Sequence, residues 1–487
     1  MTKRIMTVFV SFLTVCFMAG TLFSGTAYAE KKLYGKVKMT PFTNVARING
    51  VRGPDGIDYV ASDDKAKAIA TAIATYVAVT DESGAIGTET NWVLGGLEGE
   101  ATEEAIEEAI LRVPTPQPID PDLPMSSSNR KKVNVIELCN RTFAQKAMGL
   151  APIIEGDDTT KIVNGKIHAP ALPCEVSVYT EGSQIYVDML NPEAIFTLFF
   201  TDVLFGPQMQ DPDFAAALQS LPAVVNQEIK SIIYAALEEY GFRYTAMDKD
   251  LGPRYQWLDD VVEVVDAAPY DSPFVHFAYT KMNGTAFTGE ELATIAQTIV
   301  DTLSLDGIHD PALDALLNST DWRSARPNPL PIPGNQVIEA CSPANAINAM
   351  SLGLDHATAL PCEIALTLMD DNNTLLVSYL DPHFMFGALF NDAFNQLSKE
   401  ELEEFMSLPP EVLADLQTIV QYTFDNYVIR EPLALLEPHA VDHGRLDATG
   451  LQDKGLDGCP FSIDLLFPVP HGLASVLLHR HDVNVLQ

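Results

Sequence analysis

An internal repeat constrains the fold of this sequence more than any other feature. The segment Val135–Cys139 reads VIELC, and it recurs as VIEAC at Val337–Cys341. The segment His168–Glu175 reads HAPALPCE, and it recurs as HATALPCE at His356–Glu363. The first pair of segments is offset by 202 residues and the second pair by 188, so the first copy holds 14 additional residues between its segments. Ordered matches with compatible gaps predict that one folding unit occurs twice.

Further matches extend the repeat toward the carboxyl end of each copy. Asn191-Pro192 corresponds to Asp381-Pro382, and Ser220-Leu221-Pro222 corresponds to Ser407-Leu408-Pro409. Both Ser-Leu-Pro segments are placed to open a helix, because proline is tolerated in the first helical turn. The additional residues of the first copy contain Asn164-Gly165, a dipeptide typical of tight hairpin turns, so we expect a hairpin there.

The predicted secondary structure follows the same order in both copies. In the second copy we expect strands at Phe274–Tyr279, Val337–Cys341, Pro361–Met369 and Leu375–Leu380, and helices after Thr288, at Pro382–Phe390 and from Pro409 to about Tyr427. In the first copy we expect strands at Leu33–Val37, Val133–Cys139, Leu172–Tyr179 and Gln184–Leu190, a helix at Asp63–Tyr76 and a long loop at Pro114–Asn129. Strands linked by hairpins, with helices at fixed places, predict an α+β fold in which helices cover one face of an antiparallel sheet.

The repeated segments resemble the DUF302 family. The resemblance rests on Val-Ile-Glu-x-Cys followed by Asn140 or Ser342, then on Leu-Pro-Cys-Glu and an alternating strand, and finally on the closing Asn191-Pro192 or Asp381-Pro382. It covers residues 133–205 and 335–395. It implies a TT1751-like β-α-β-β-β-β-α module in each copy and no established activity. In the family a proline often follows the Cys-Asn pair. Copy one departs from this pattern because it has Arg141 at that position, whereas copy two keeps Pro343.

The amino terminus has the three parts of a secretory signal. Lys3 and Arg4 supply positive charge, an apolar run extends from Ile5 to Phe23, and Ala27-Tyr28-Ala29 provides a cleavage site. We therefore expect residues 1–29 to be removed on export to the periplasm. The predicted organisation is then a first module with a helical tail at 30–250, a second at 251–430 and a carboxyl-terminal extension at 431–487.

The charge of the chain restricts its partners. There are 66 acidic and 30 basic residues, which gives a formal net charge of −36. Such a chain repels phosphate backbones, so we expect no binding to nucleic acid. No later segment has the uninterrupted apolar length of a membrane span, so none is expected after signal cleavage. The two modules are expected to pack on each other as a pseudo-dimer, with the ligand left open.

Four cysteines occupy matched positions: Cys139 with Cys174, and Cys341 with Cys362. Cys139 and Cys341 end one strand and the second cysteine of each pair begins another, so the sulfurs are expected at one end of the sheet. In an oxidising compartment this placement favours two structural disulfides, each worth about 3–4 kcal/mol in the chain-entropy model. Cys459 is left over, so at least one cysteine is expected outside these two bonds.

Two alternatives use the same residues. Cys139 and Cys341 directly precede a residue suited to cap a helix, and a thiol at a helix amino terminus ionises more readily. This favours thiol-based redox or sulfur handling. His168 and His356 each precede the second cysteine by six residues, so two thiolates and an imidazole in each copy form a possible zinc or copper site.

No motif in the sequence identifies a reaction. We find no Gly-x-Ser-x-Gly, no glycine-rich phosphate loop and no His-Glu-x-x-His. Glu175 and Glu363 follow the second cysteines and are expected on the opposite face of the strand, exposed to solvent. The sequence therefore favours a non-enzymatic binding or scaffold protein, with no cofactor predicted beyond the zinc or copper alternative.

Overall fold

Two antiparallel β-sheets, one from each half of the chain, form the framework of the molecule. The computed structural model describes residues 40–53, 56–58, 61–83, 92–97, 100–148, 165–172, 174–200, 212–251, 273–281, 285–303, 308, 310–319, 321–324, 334–360, 362–369, 373–390, 397–428 and 436–439. We call the described residues up to 251 the first half and those from 273 onward the second half.

Fourteen strands build the two sheets among the described residues. They are β1 (Phe42–Gly53), β2 (Gly56–Asp58), β3 (Trp92–Leu94), β4 (Leu111–Pro118), β5 (Arg130–Asn140), β6 (Cys174–Glu181), β7 (Gln184–Leu190), β8 (Phe242–Leu251), β9 (Phe274–Lys281), β10 (Arg323–Ser324), β11 (Asn335–Cys341), β12 (Cys362–Leu368), β13 (Thr374–Leu380) and β14 (Leu436–His439).

The two sheets share one strand order. In the first half β8, β1, β7, β6, β5 and β3 lie side by side, with β2 also on β1 and β4 also on β5. In the second half the order is β14, β9, β13, β12, β11 and β10. The predicted α+β class with antiparallel sheets is therefore confirmed.

Helices cover one face of each sheet. The α-helices are α1 (Asp63–Ser83), α2 (Glu103–Glu108), α3 (Arg141–Met148), α4 (Pro192–Phe199), α5 (Pro212–Glu239), α6 (Gly289–Leu303), α7 (Pro311–Asp314), α8 (Pro343–Ala349), α9 (Pro382–Leu389), α10 (Lys399–Phe405) and α11 (Leu408–Thr423). In the first half α1 lies on β5 and β6 and contacts α5, and in the second half α6 lies on β11 and contacts α11. Their apolar faces bury residues such as Ile69, Ile73, Ile295 and Ile299 against the strands.

Local sequence explains where several of these elements begin. Helix α4 follows Asn191 and helix α9 follows Asp381, and each side chain accepts a hydrogen bond from the backbone two residues later while a proline occupies the first helical turn. Helix α6 begins after Thr288, whose hydroxyl accepts from the Glu291 amide while Glu291 accepts from the Thr288 amide. The turn between β6 and β7 uses Gly182 at a φ of 58°, a conformation that glycine adopts without strain.

The second face of each sheet is covered by the other half of the chain. A 3-10 helix of the first half, Gly165–Ala171, lies against β12, β13 and β9. A 3-10 helix of the second half, Leu354–Ala359, lies against β5, β6, β7 and β1. Helix α8 also contacts β4. The central strands β5 to β7 and β11 to β13 are therefore covered on both faces, whereas β8 at the edge of the first sheet keeps exposed residues such as Arg243 and Thr245.

The structure corrects several expectations in the first half. Ser220-Leu221-Pro222 does not open a helix, because Pro222 lies inside α5. The region Pro114–Asn129 is not one long loop, because β4 extends to Pro118 and a 3-10 helix occupies Ser127–Asn129. The Asn129 amide closes the turn between them by donating to the carbonyls of Asp120, Leu123 and Pro124. Gly165 of the predicted Asn164-Gly165 hairpin turn begins a 3-10 helix instead, and Asn164 lies outside the described residues.

The predicted strand at Leu33–Val37 also lies outside the described residues, and the first described strand is β1. Helix α1 continues to Ser83, beyond its predicted end at Tyr76. In the part of the chain that the structure describes, no helix combines the length and apolar character needed to cross a membrane.

Candidate functional site

Each matched cysteine pair lies at one end of its sheet, at the junction of neighbouring strands. In the first half Cys174 stands directly opposite Leu138, and in the second half Cys362 stands directly opposite Ala340. Residues directly opposite each other point to the same face, and successive residues of one strand alternate faces. Cys139 therefore points to the face opposite Cys174, and Cys341 to the face opposite Cys362.

The surroundings of the sulfurs agree with this register in the second half. Cys341 packs with Ala346, Met350 and residues of the first half, whereas Cys362 packs beside the helix-covered core. The disulfides stay a prediction from sequence, because the structure brings the two cysteines of each pair to adjacent strands but turns their side chains apart.

Burial dominates the chemistry of three of these thiols. Loss of solvent raises the pKa of Cys174 and of Cys341 well above the ordinary value, and nearby acidic groups raise both further. Cys362 retains some accessible surface, yet the surrounding protein raises its pKa to about 12. This direction is opposite to the one that a reactive thiolate at a helix amino terminus requires. Redox or sulfur handling stays a prediction.

The two histidines lie against aromatic rings rather than against sulfur. His168 stacks on Phe200 with ring centres 4.3 Å apart and meets the edge of Phe274 at 5.1 Å. His356 lies 4.7 Å from Phe390 and 5.6 Å from Phe42. Both histidines are 1% exposed. Each one contacts a ring of its own half and a ring that begins the first strand of the other half's sheet.

The metal alternative also stays a prediction. Within the described ranges, no three His, Cys, Asp or Glu side chains are placed as the ligands of one ion. The residues that it requires lie on three successive elements of each half, a strand, a 3-10 helix and the next strand: Cys139, His168 and Cys174 in the first half, and Cys341, His356 and Cys362 in the second. The histidine rings lie against the phenylalanine rings described above.

Four buried glutamates form a second group of residues at matched positions in the two copies of the repeat. Glu137 of β5 stands opposite Glu175 of β6, and Glu339 of β11 stands opposite Glu363 of β12. All four are between 2% and 7% exposed. Glu175 and Glu363 lie on the predicted face of their strands, but the expectation that they are solvated is wrong because the other half of the chain covers that face. We call these four residues the four-glutamate centre.

The carboxyl groups of the four-glutamate centre meet across the two halves. Glu175 contacts the Glu363 carboxyl, and Glu137 contacts the Glu339 carboxyl. Both oxygens of Glu363, and one oxygen each of Glu175 and Glu339, receive no hydrogen bond from an amide, amine or hydroxyl group of the described residues. In each of the two contacts, the two carboxyl groups come from matched positions in the two copies of the repeat.

Burial is the main cause of the raised pKa values in the four-glutamate centre. It raises the pKa of Glu175 to about 8, with Glu137 adding to the increase and the contact with Glu363 opposing it. Burial, followed by the neighbouring glutamates, raises the pKa of Glu339 and of Glu363 well above the ordinary range. Two carboxyl groups in contact repel each other when both are charged, so these surroundings favour the protonated forms of Glu175, Glu339 and Glu363.

Gly95 makes room for one of these carboxyl groups. A Cβ atom at this position would stand 2.5 Å from Oε2 and 2.7 Å from Cβ of Glu137. The Gly95 amide also donates to the Glu137 carbonyl at 2.8 Å, which holds the two backbones together. A side chain at residue 95 would therefore displace Glu137 from the centre.

A second buried carboxyl group lies on the same face of the first sheet. Asp188 accepts a hydrogen bond from the Tyr179 hydroxyl at 2.5 Å and another from the Asn44 amide. Burial raises the pKa of Asp188 to about 7, although both hydrogen bonds oppose the increase. This group differs from the four-glutamate centre because its partners are donors.

The sequence contained a signal for the four-glutamate centre. Glu137 and Glu339 stand inside strands of otherwise apolar residues, at the same place in both copies of VIE-x-C. A glutamate flanked by buried residues on both sides is expensive to bury unless it is partnered. The alternation of the strand gives its face correctly, but it does not tell what covers that face.

The chain has an α+β fold in which two antiparallel sheets enclose buried acidic groups, and one family model matches it. That model, described as Domain of unknown function DUF302, matches residues 327–408. This range contains β11 to β13, the second-half cysteines and Glu339 and Glu363. No curated protein and no solved structure matches the chain.

Proposed function

We propose that the chain is an exported, non-enzymatic binding or scaffold protein in which two DUF302-like modules pair as a pseudo-dimer. The first module spans residues 30–250 and the second 251–430, each with the TT1751-like arrangement that the sequence resemblance implies. The DUF302 match within the second module and the equal strand order of the two sheets support the duplication.

One observation carries the pairing. The 3-10 helix of each half places its histidine on the phenylalanine that begins the first strand of the other half, His168 on Phe274 and His356 on Phe42. A contact in which equivalent residues exchange places is the signature of an isologous interface. The matched His segments therefore have a packing role that requires no reaction.

The two halves also meet through other polar and apolar contacts. The Lys166 ammonium donates to the Leu368 carbonyl at 2.8 Å, and the Asn335 amide approaches the Met148 sulfur at 3.9 Å. Cys341, Leu354 and Leu360 of the second half form an apolar cluster with Val133 and Val135 of the first. Because this burial is shared by both halves, we expect neither half to unfold alone.

Calorimetry of the full-length mature chain tests the pairing. At pH 6 we expect one transition whose calorimetric enthalpy equals the van't Hoff enthalpy. Two resolved transitions, each assigned to one half, would contradict the pseudo-dimer.

The proposed export has a separate test. We expect intact-protein mass spectrometry of the periplasmic fraction to find a chain that begins at Glu30. A retained amino terminus, or a lipid on Cys16, would contradict cleavage between Ala29 and Glu30.

The number of free thiols tests the two disulfides predicted from the sequence. Because the register turns the sulfurs of each pair to opposite faces, the structure leads us to expect reduced thiols at all four matched positions. Thiol counting on the unfolded mature protein without reductant should then find five, including Cys459. A count of one would favour the two disulfides predicted from sequence.

A further inference from the structure

The four-glutamate centre lies at the symmetric point of the contact between the halves. Its two carboxyl contacts each join residues at equivalent positions, Glu137 with Glu339 and Glu175 with Glu363. An isologous contact brings a residue against its own equivalent only near the twofold axis. The centre is therefore part of the surface on which the proposed pairing depends.

Among the described residues, the charged groups that shift the pKa of Glu175, Glu339 and Glu363 are other glutamates of the centre. Glu175 and Glu137 are among the acidic groups that raise the pKa of the Cys174 thiol, and Glu339 is among those that raise the pKa of the Cys341 thiol. Arg323 and Asp321 act on Cys341 at the end of β11, and among the described residues no lysine or arginine contributes to the pKa of Glu175, Glu339 or Glu363.

Protons are then the groups that neutralise the contact. A carboxylic acid donates to a carboxylate, and the two share one negative charge. When that proton leaves, two like charges remain in contact without solvent, at a cost that the protein relieves by separating them. The halves carry the two members of each pair, so this separation opposes the pairing.

We propose that protons shared within the four-glutamate centre hold the two halves together, so that alkaline pH weakens their pairing. This inference rests on the proposed pseudo-dimer and adds a regulation to its interface.

The direction of the effect follows from linkage. The folded protein keeps protons on Glu175, Glu339 and Glu363 at pH values where the unfolded chain has lost them, since the ordinary pKa is 4.5. The contribution of these groups to stability is complete below 4.5 and is lost as the pH rises through about 8 for Glu175 and higher for the other two.

The experiment compares the full mature wild-type chain with Glu339→Gln/Glu363→Gln. Each glutamine amide donates to the facing carboxylate, so the double variant needs no shared proton. Between pH 6 and pH 9 we expect the unfolding constant of the wild type to rise by up to about tenfold per pH unit for each proton released. The double variant should lose most of this rise. The control Glu103→Gln/Glu104→Gln removes two exposed glutamates of α2 and should keep the wild-type slope.

Equal slopes in the wild type and the double variant would overturn the proposal. It would also be overturned if millimolar calcium or manganese restored the stability of metal-free wild type at pH 8 and had no effect on the double variant, since the centre would then hold a cation. Infrared difference spectra of the wild type provide a measurement without variants. The carbonyl band of a protonated carboxylic acid should be present at pH 7, and its absence would contradict shared protons.

These outcomes are distinct from failure of the proposed pairing. Two calorimetric transitions at pH 6 would contradict the pseudo-dimer itself. One transition at pH 6 with equal pH slopes would leave the pseudo-dimer in place and contradict only the role of the protons.

Discussion

The two halves agree at the centre of their contact and differ beside it. Both supply two glutamates in register to the four-glutamate centre. Beside it, the first half places Asp188 with Tyr179 and Asn44 as donors, whereas the second half has Ser378 opposite His276 in the corresponding strands β13 and β9. The shared feature belongs to the contact between the halves, and the differing one to the packing of a single half.

The halves also differ in the tryptophan hydrogen bond, or tie, that joins the edge of each sheet to its long helix. The Trp92 indole donates to Glu228 of α5 at 2.8 Å, and the Trp322 indole donates to Asp415 of α11 at the same distance. Glu228 accepts one further bond, from Asn140, and is partly exposed. Asp415 is 1% exposed and also accepts from Asn318 and Ser319. The same tie is therefore more deeply buried in the second half.

The largest expected effect concerns the phenylalanines at the reciprocal histidine contacts. Phe42→Ala and Phe274→Ala should each lower the free energy of unfolding by about 3–5 kcal/mol, because both rings are buried and leave a cavity. Chemical denaturation measures the loss. Similar values would support equivalent roles, and a loss below about 1 kcal/mol in one variant would break the comparison.

The tryptophan ties should differ in strength. Asp415→Asn turns an amide N–H toward existing donors in a buried site, so we expect a loss of about 2–3 kcal/mol. Glu228→Gln sits nearer to solvent and should cost about 1 kcal/mol. Denaturant midpoints at constant slope give both values. A larger cost for Glu228→Gln would reverse the comparison.

A substitution at Gly95 tests the space around Glu137. Gly95→Ala should lower stability by about 1–3 kcal/mol, because the added Cβ overlaps the Glu137 side chain. Gly387→Ala is the matched control, since nothing stands within 4 Å of its added Cβ and it lies within helix α9. We expect that control to be neutral or slightly stabilising. Equal losses at both glycines would remove Glu137 as the cause.

The difference between the halves at Asp188 should be visible as a pH dependence. The pKa of Asp188 is raised from 3.8 to about 7, so its contribution to stability is complete below 3.8 and lost as the pH rises through about 7. Asp188→Asn should reduce the slope of stability against pH in that window by at most about 1.4 kcal/mol per pH unit. Denaturation at several pH values checks it. An unchanged slope would show that Asp188 stays ionised.

The repeat made the central strands predictable. Strands β11, β12 and β13 and helices α6 and α9 lie where alternation and helical spacing place them, because local pattern and burial agree there. The edge strand β4 of the first sheet was harder to predict. Strand β4 carries Pro114, Pro116 and Pro118, which indicate a loop, yet an edge strand tolerates prolines because one side of it needs no partner.

The candidate site was predictable only in part. Alternation placed Glu175 and Glu363 on the correct face, but their burial depends on the other half of the chain, which the pattern of a single strand does not contain. The same limit applies to His168 and His356. Their spacing from the cysteines indicated a ligand set, whereas their partners are phenylalanines more than 30 residues away in sequence or in the other half.

Hydrogen exchange of the full chain tests the central claim most directly, since it reports on each half separately. Phe42→Ala, in the first half, should increase exchange in the second-half segment 354–359, and Phe274→Ala should increase exchange in the first-half segment 165–171. Phe287→Ala removes a buried ring of the second half away from these contacts and serves as the control. Increases confined to the half that carries each substitution would contradict the face-to-face pairing of the two halves.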